Sequence, residues 1–413
     1  MQHLLTPGPL LDENGHLTEA GYATSLVKQY DRNAIKGGKL RIKEWDYYCI
    51  IGGDIVLALT IADNSYMSLD SVSLINLQTG FQHTWSAMGV MTLGKYNLPA
   101  TSVKGDVAVE KSAYSLRFEN DGEKRVLTVR VDKFHDAKPL TARVTLTDVP
   151  RDSMVIATPF PEKKTAFYYN QKINCLRASG DVAFGGEVYS FDPASATAVL
   201  DWGRGVWTYK NTWYWGSASG YVEGVPFGMN LGYGFGDTSA ASENMLFYNG
   251  FAHKIDQITF HIPQTENGKD DFLKPWPITS NDGRLEMTFT PILDRASCTD
   301  AIVIKSDQHQ VFGRFDGKAV LDDGAELEIV KLVGFAEKVA NKWYEGSTAQ
   351  AAGLFWLGGS ACMCALPVRP GFSSAPLGPK GEGGFRFPPL PPLETRIPLE
   401  TTRGKPLDPT SLP

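Results

Sequence analysis

Hydrophobic and polar positions along this chain alternate in short runs for most of its length. LRIKEWDYYCII (40–51), DIVLALTIAD (54–63), YMSLDSVSLINL (66–77), YSLRFEN (114–120), RVLTVRVDKF (125–134) and LTARVTLTDV (140–149) are rich in β-branched and aromatic residues. Several alternate with the period of two that marks a half-buried strand. Turn signals at Gly52-Gly53, Asp63-Asn64 and Asn120-Asp121-Gly122 separate them. A second series starts near Ala166 and continues through FYYNQKINCLRASGDVAFGGEVYSF, KIDQITFHIP, RLEMTFTPI and HQVFGRFDG. Two stretches read differently. LTEAGYATSLVKQY (17–30) fits one short amphipathic helix with Thr18 as N-cap, and VGFAEKVANKW (333–343) has a helical texture. The pattern predicts an all-β protein of two consecutive antiparallel barrel or sandwich domains. An N-terminal helical segment is expected at 1–36, a first β domain at 37–160 and a second at 161–347, with Thr158–Lys164 as the junction between the two β series.

The alternation changes character between residues 200 and 236. In Asp201-Trp202-Gly203-Arg204-Gly205-Val206-Trp207 a straight strand sets Asp201 and Trp207 on one face, and Trp202 and Arg204 on the other. A glycine bulge would allow an Asp201–Arg204 pair. Farther on, glycines at 216, 220, 224, 228, 232, 234 and 236 share one parity, while the opposite parity from 221 to 235 is bulky and mostly apolar. Glu223-Gly224-Val225-Pro226 reads as a turn that can reset the parity. A face that bare leaves room for a closely approaching backbone or for a ligand.

Composition narrows the class. Of 413 residues, 42% are hydrophobic, which is enough for a real core. The formal charge of −6, with no cluster of Lys and Arg, argues against a nucleic-acid face. The N-terminus has no basic, then apolar, leader pattern, and no run is long and apolar enough to span a membrane. Five scattered cysteines, of which only Cys362 and Cys364 are close, suggest neither a disulfide framework nor a zinc site. A cytoplasmic, reducing setting is expected. The seven histidines form no metal-binding pair, Gly232-Tyr-Gly234-Phe-Gly236 lacks the setting of a dinucleotide loop, and no GxSxG elbow occurs. No metal is therefore expected. Residues 366–413 hold 12 of the 25 prolines, so the segment 348–413 reads as a disordered tail.

The candidate chemistry sits in the aromatic–glycine block. Asp201, Arg204, Glu223, Glu243 and Asn244 lie among aromatic or glycine-rich neighbours, where burial is costly unless each group is paired or used. A desolvated carboxyl group there is a general-acid candidate, and a paired Asp–Arg bridge is chemically inert. The sequence leaves both open.

AVLDWGRGVWTY, WYWGS, GMNLGYGFGD, ENMLFYNG, HQVFGRFDG and GFAEKVANKW together resemble the family known as domain of unknown function 2804, over roughly residues 5–345. More distantly, the pattern is similar to a lipocalin-like group that includes carotenoid 1,2-hydratase, kievitone hydratase and AttH-type proteins. That resemblance implies two consecutive β-barrel-like domains with an apolar ligand pocket at or between them. The expected partner is an apolar small molecule, held with no metal or organic cofactor. One reading is an enzyme that protonates an alkene, of hydratase, lyase or isomerase type. Its donor is Asp201 or Glu243, Arg204 anchors a polar end, and Trp207, Trp213 and Trp215 form the wall. Asn230, Asn244 and Tyr214 orient a water or hydroxyl. A second reading is a non-catalytic carrier with Asp201 and Arg204 merely bridged. A third is a carbohydrate-active protein with Asp201, Glu223 and Glu243 as its acids.

Overall fold

The computed structural model describes residues 2–343 apart from 209, 302 and 303. The tail at 348–413 and the Cys362–Cys364 pair lie outside the described residues. Strands dominate, and among the described residues the helical turns are 3-10 segments at Arg32–Ala34 and Lys39–Arg41. The helix expected over 17–30 is not formed. Short strands β1 (Gly8–Pro9), β2 (Gly21–Ala23) and β3 (Lys28–Gln29) occupy that region instead. Tertiary partners decide the matter, because β2 pairs antiparallel with residues 155–157 and Lys28 reaches Glu19 at 2.5 Å. A fourteen-residue helix has little stability of its own to set against them.

Two meanders and a central pair build the first sheet. The first meander is β4 (Ile42–Gly52), β5 (Ile55–Asp63), β6 (Met67–Asn76) and β7 (Phe81–Val90). The second is β8 (Val107–Glu110), β9 (Tyr114–Asn120), β10 (Arg125–His135) and β11 (Lys138–Thr147). Between them come β12 (Met154–Pro159), the long β13 (Phe167–Phe184), β14 (Glu187–Phe191) and β15 (Thr197–Val206). The spatial order β7-β6-β5-β4-β15-β13-β11-β10-β9-β8 puts β13 and β15 in the middle. The sheet curls until its ends meet through side chains, Trp85 on β7 touching Tyr114 on β9 at 4.7 Å between ring centres.

The second sheet contains β16 (Lys210–Val222), β17 (Val225–Tyr233), β18 (Met245–Tyr248), β19 (Phe251–Lys254), β20 (Ile258–Phe260), β21 (Trp276–Ser280), β22 (Leu285–Ala301), β23 (Ile304–Val320) and β24 (Glu326–Trp343). Its order is β19-β18-β17-β16-β24-β23-β22-β21-β20. The chain therefore leaves the first sheet after Val206, whereas the junction expected at Thr158–Lys164 is the turn from β12 to β13. The two prolines there end one hairpin arm and do not divide the sheets. The helical texture of 333–343 is likewise a strand. Gly334, Phe335, Ala336 and Glu337 are all buried, so the stretch is covered on both faces and shows no alternation.

Three apolar clusters follow from this arrangement. One fills the curl of the first sheet and includes Trp202, Tyr48, Phe118 and Tyr169. Another fills the curl of the second, around Phe227, Met229, Trp276 and Phe289. The third joins the outer faces of the two sheets: Tyr47, Cys49, Val56, Ala58 and Val199 from the first meet Trp215, Leu293, Phe312 and Phe335 from the second. Most of the candidate residues gather in or beside this third layer, Arg204, Tyr214 and Glu223 excepted.

Candidate functional site

Register alone brings the site together. On β13, Tyr168, Asn170, Lys172 and Asn174 share a face. Lys172 lies opposite Asp201 on β15, and Asp201 opposite Tyr47 on β4. Across the gap, one row of the second sheet runs Gly232, Trp215, Glu337, Gln310 and Arg295 through β17, β16, β24, β23 and β22. The rows meet at Lys172, whose Nζ stands 3.7 Å from the centre of the Trp215 ring, and at Tyr47, packed edge-on against the same ring. A bulge at Asn174–Cys175, with Cys175 at φ 60°, points both side chains toward the second sheet. Asn174 Nδ2 then donates to Ser217 Oγ at 2.9 Å and to the Met229 carbonyl at 3.1 Å.

The bare face is explained by what fills it. The tight turn at Glu223–Gly224 does reset the parity, since Val222 pairs with Val225 and Gly220 with Phe227. Glycines on β16 therefore sit beside the bulky residues of β17, and those on β17 look toward the first sheet. A Cβ on Gly232 would lie 2.6 Å from Glu243 Cδ, and one on Gly228 would lie 2.6 Å from Cys175 Sγ. Gly203 makes room in the same way for the Trp45 indole. Side chains, from the same sheet at Gly203 and Gly232 and from the facing sheet at Gly228, occupy the space.

At the centre are three carboxyl groups and one ammonium. Lys172 Nζ is 2.8 Å from Asp201 Oδ2, while Asn170 Nδ2 donates to Asp201 Oδ1 at 2.6 Å. Trp213 Nε1 donates to Glu337 Oε1 at 2.7 Å, and Gln310 Nε2 donates to Oε2 at 2.9 Å. Glu243 lies on Gly232 with its backbone carbonyl held by Asn230 Nδ2 at 2.8 Å. Asp201, Glu243 and Glu337 are each 7% exposed. Burial pushes Glu243 above the ordinary carboxyl range. Lys172 pulls it back, and the Asp201 charge adds to the rise. Burial also raises Glu337, against the Trp213 hydrogen bond and Lys172. Lys172, with Lys254 acting on Glu243 and Arg295 on Glu337, offsets part of this rise, and burial still leaves both carboxyls above their ordinary range. The Tyr168 hydroxyl is raised well above its usual value by burial, with Glu243, Asp201 and Glu337 adding to it.

Beside the acids stands an aromatic box. Trp45 stacks on Tyr168 at 6.1 Å and meets Trp207 edge-on at 5.1 Å. Phe235 touches Tyr168, Trp207 and Trp213 at 4.8, 5.0 and 5.4 Å. Trp45, Trp207 and Trp213 are only half-buried, so the box reaches the surface.

Asp201, Glu243, Trp207, Trp213, Trp215 and Asn230 thus come together, with Asn230 Oδ1 accepting from Trp215 Nε1 at 2.8 Å. Asn244 borders them, binding the Gly232 amide at 2.7 Å. Arg204 and Tyr214 do not join. Arg204 points into the curl of the first sheet, 3.0 Å from Asp46 and over the Trp202 ring, so no Asp201–Arg204 pair forms. Tyr214 lies on the far face of β16, stacked on Tyr233 at 4.4 Å. Glu223 occupies the exposed hairpin tip, at φ 52°, beside a depression of about 260 Å³ lined by Tyr221, Val222 and Leu332. Sequence reasoning missed Lys172, Glu337 and Trp45. The signal for Lys172 was present in the single parity of Tyr168, Asn170, Lys172 and Asn174.

Fold and site define an all-β protein of two curled antiparallel sheets with a buried acid cluster in the layer between them. The chain belongs to the family described as Domain of unknown function (DUF2804), whose model matches residues 1–343. No match was found among curated proteins. Among solved structures, the chain is similar to one assigned as AttH from Nitrosomonas europaea, with 13% identity, 73% of this chain and 92% of that chain covered, and a TM-score of 0.46. Kievitone hydratase from Nectria haematococca shares 13% identity over 78% and 97% of the two chains, with a TM-score of 0.43. CghA with Sch210972 shares 9% over 83% and 99%, with a TM-score of 0.42. Among the described residues no helix is long and apolar enough to cross a membrane.

Proposed function

We propose that the protein is a proton-transfer catalyst for a largely apolar small molecule, with Glu243 as the acid. The observation that carries this reading is the gathering of three buried carboxyl groups, Asp201, Glu243 and Glu337, in one layer, with Glu243 held above its ordinary pKa by burial and by Asp201. A group in that state is protonated where an exposed carboxyl is not, which is what a general acid requires. In the proposed step the Glu243 O–H proton passes to one carbon of a C=C bond, and a carbocation develops on the other. Trp45, Trp207 and Trp213 offer ring faces to that charge. Trp215 cannot, because Lys172 already covers it. Water then adds to the cation and its proton returns to the Glu243 carboxylate, or that carboxylate takes a different proton from the carbon next to the cation and the substrate is isomerised. Asp201 acts by holding Lys172 and raising Glu243, not as the donor.

The carrier reading is favoured by one fact: Asp201 and Arg204 are both committed to ion pairs, with Lys172 and Asp46. Native mass spectrometry of the full chain purified from its host, followed by solvent extraction, identifies a retained apolar ligand. Glu243→Gln is then compared with the parent for ligand affinity and for conversion. Conversion lost with affinity retained supports the acid. Conversion unchanged removes Glu243 from the role of acid, and ligand retained with no conversion by the parent leaves a carrier.

A further inference from the structure

On the face of the first sheet that carries Asp201, the cross-strand row through Gly203 reads Gly203, Trp45, Ala62, Leu69 and Met88. Every side chain in it is apolar. Next to it Met67 pairs with Val90 on the same face. The second sheet covers this face only toward the start of β7, where Arg295 donates to Ser73 and Gln82 donates to the Asp294 carbonyl. At the far end of β7, Met88 and Val90 are 60% and 72% exposed. The chain then continues through Met91 and Leu93, also exposed and both at positive φ.

Four exposed aliphatic side chains within six residues, at the end of an edge strand, form a surface that invites association unless something covers it. Charge identifies the cover. Across 64–71 and 86–97 the charged residues are Asp70 and Lys95; behind the 92–96 turn Asp63 is buried, accepting from Thr92, Gly94 and Tyr96, and Arg32 is paired with the buried Glu44. Asp70 is buried and turned into the curl of the sheet, where Tyr96 and Tyr114 donate to it. Lys95 is exposed. The patch is therefore apolar with a cation at its margin, on a chain whose net charge is −6. A second copy of this chain would bring the same lysine to the contact. A bilayer supplies acyl chains for the methionines, valine and leucine, and anionic headgroups for Lys95.

We propose that Met88, Val90, Met91 and Leu93, with Lys95, dock the protein on an anionic lipid surface, and that the row from Met88 to Trp45 leads an apolar substrate from that surface to the aromatic box. The second clause rests on the acid reading above; the docking does not.

The test is flotation of the full chain with phosphatidylcholine vesicles, with and without phosphatidylglycerol. The parent protein is expected to float with the phosphatidylglycerol vesicles. Met88→Ser with Val90→Ser should lower its partitioning about tenfold, and Lys95→Ala about fivefold. Both sets of side chains are exposed, so denaturation midpoints should not move. Glu243→Gln should float like the parent, so a failed acid reading leaves this result intact, and failed flotation leaves the acid reading intact. The proposal is overturned if the parent stays in solution, if the double variant floats unchanged, or if sedimentation shows a dimer that the double variant splits.

Discussion

Replacing Lys172 by methionine keeps most of the side-chain volume and deletes the ammonium on which the acid cluster depends. Asp201 would retain only the Asn170 hydrogen bond, at 7% exposure. Removing one partner of a buried pair costs about 3–5 kcal/mol. Methionine packed on the Trp215 ring returns up to about 1 kcal/mol through its sulfur contact. The variant should therefore lose about 2–4 kcal/mol at pH 7.5. Adding Asp201→Asn should restore most of the loss at pH 7.5, because no unpaired charge then remains. Urea denaturation of the parent, the two single variants and the double variant at pH 7.5 measures the loss and the rescue. A loss below about 0.5 kcal/mol, or no rescue by Asp201→Asn, would refute the reasoning.

Three further outcomes are expected. Because Glu243 is raised in the folded state, its contribution is fully present below the unfolded pKa and is lost as pH rises through the folded one. Glu243→Gln should therefore gain thermal stability relative to the parent on going from pH 5 to pH 8; a constant difference would contradict this. Gly203→Ala places a methyl inside the Trp45 indole and should cost about 2–4 kcal/mol by displacing that ring from Tyr168 and Trp207; a neutral effect in denaturation would show the box to be loosely held. Burial, together with Arg41, lowers the Lys43 ammonium to about 7, between Tyr66 and Trp207. Its contribution to stability should rise with pH from that value up to the ordinary lysine value of 10.5, and side-chain NMR of Lys43 should show a midpoint near the lower value.

The sequence disclosed the strands and the importance of the 200–236 block, because alternation and glycine parity are local properties. It could not disclose which face of each strand meets the other sheet. Arg204 and Asp201 are three residues apart and face opposite layers, and only the pairing of β15 with β13 and β4 settles which layer holds the acids. Glu337 was hidden for a related reason. Its strand is buried on both sides, so alternation vanishes there, and Ala336, Glu337 and Lys338 give it the composition of a helix. The N-terminal segment shows the reverse. It carries a helical pattern, but β2 is fixed by a strand more than a hundred residues away.

The most direct test of the account is the protonation state of Glu243. Difference infrared spectroscopy of the parent against Glu243→Gln isolates the C=O stretch of a protonated carboxyl at that position. The account predicts that this band persists above the ordinary glutamate value of 4.5 and that its midpoint falls when Asp201→Asn removes the repelling charge. A band that titrates at the ordinary value, in the parent and in Asp201→Asn alike, would contradict it.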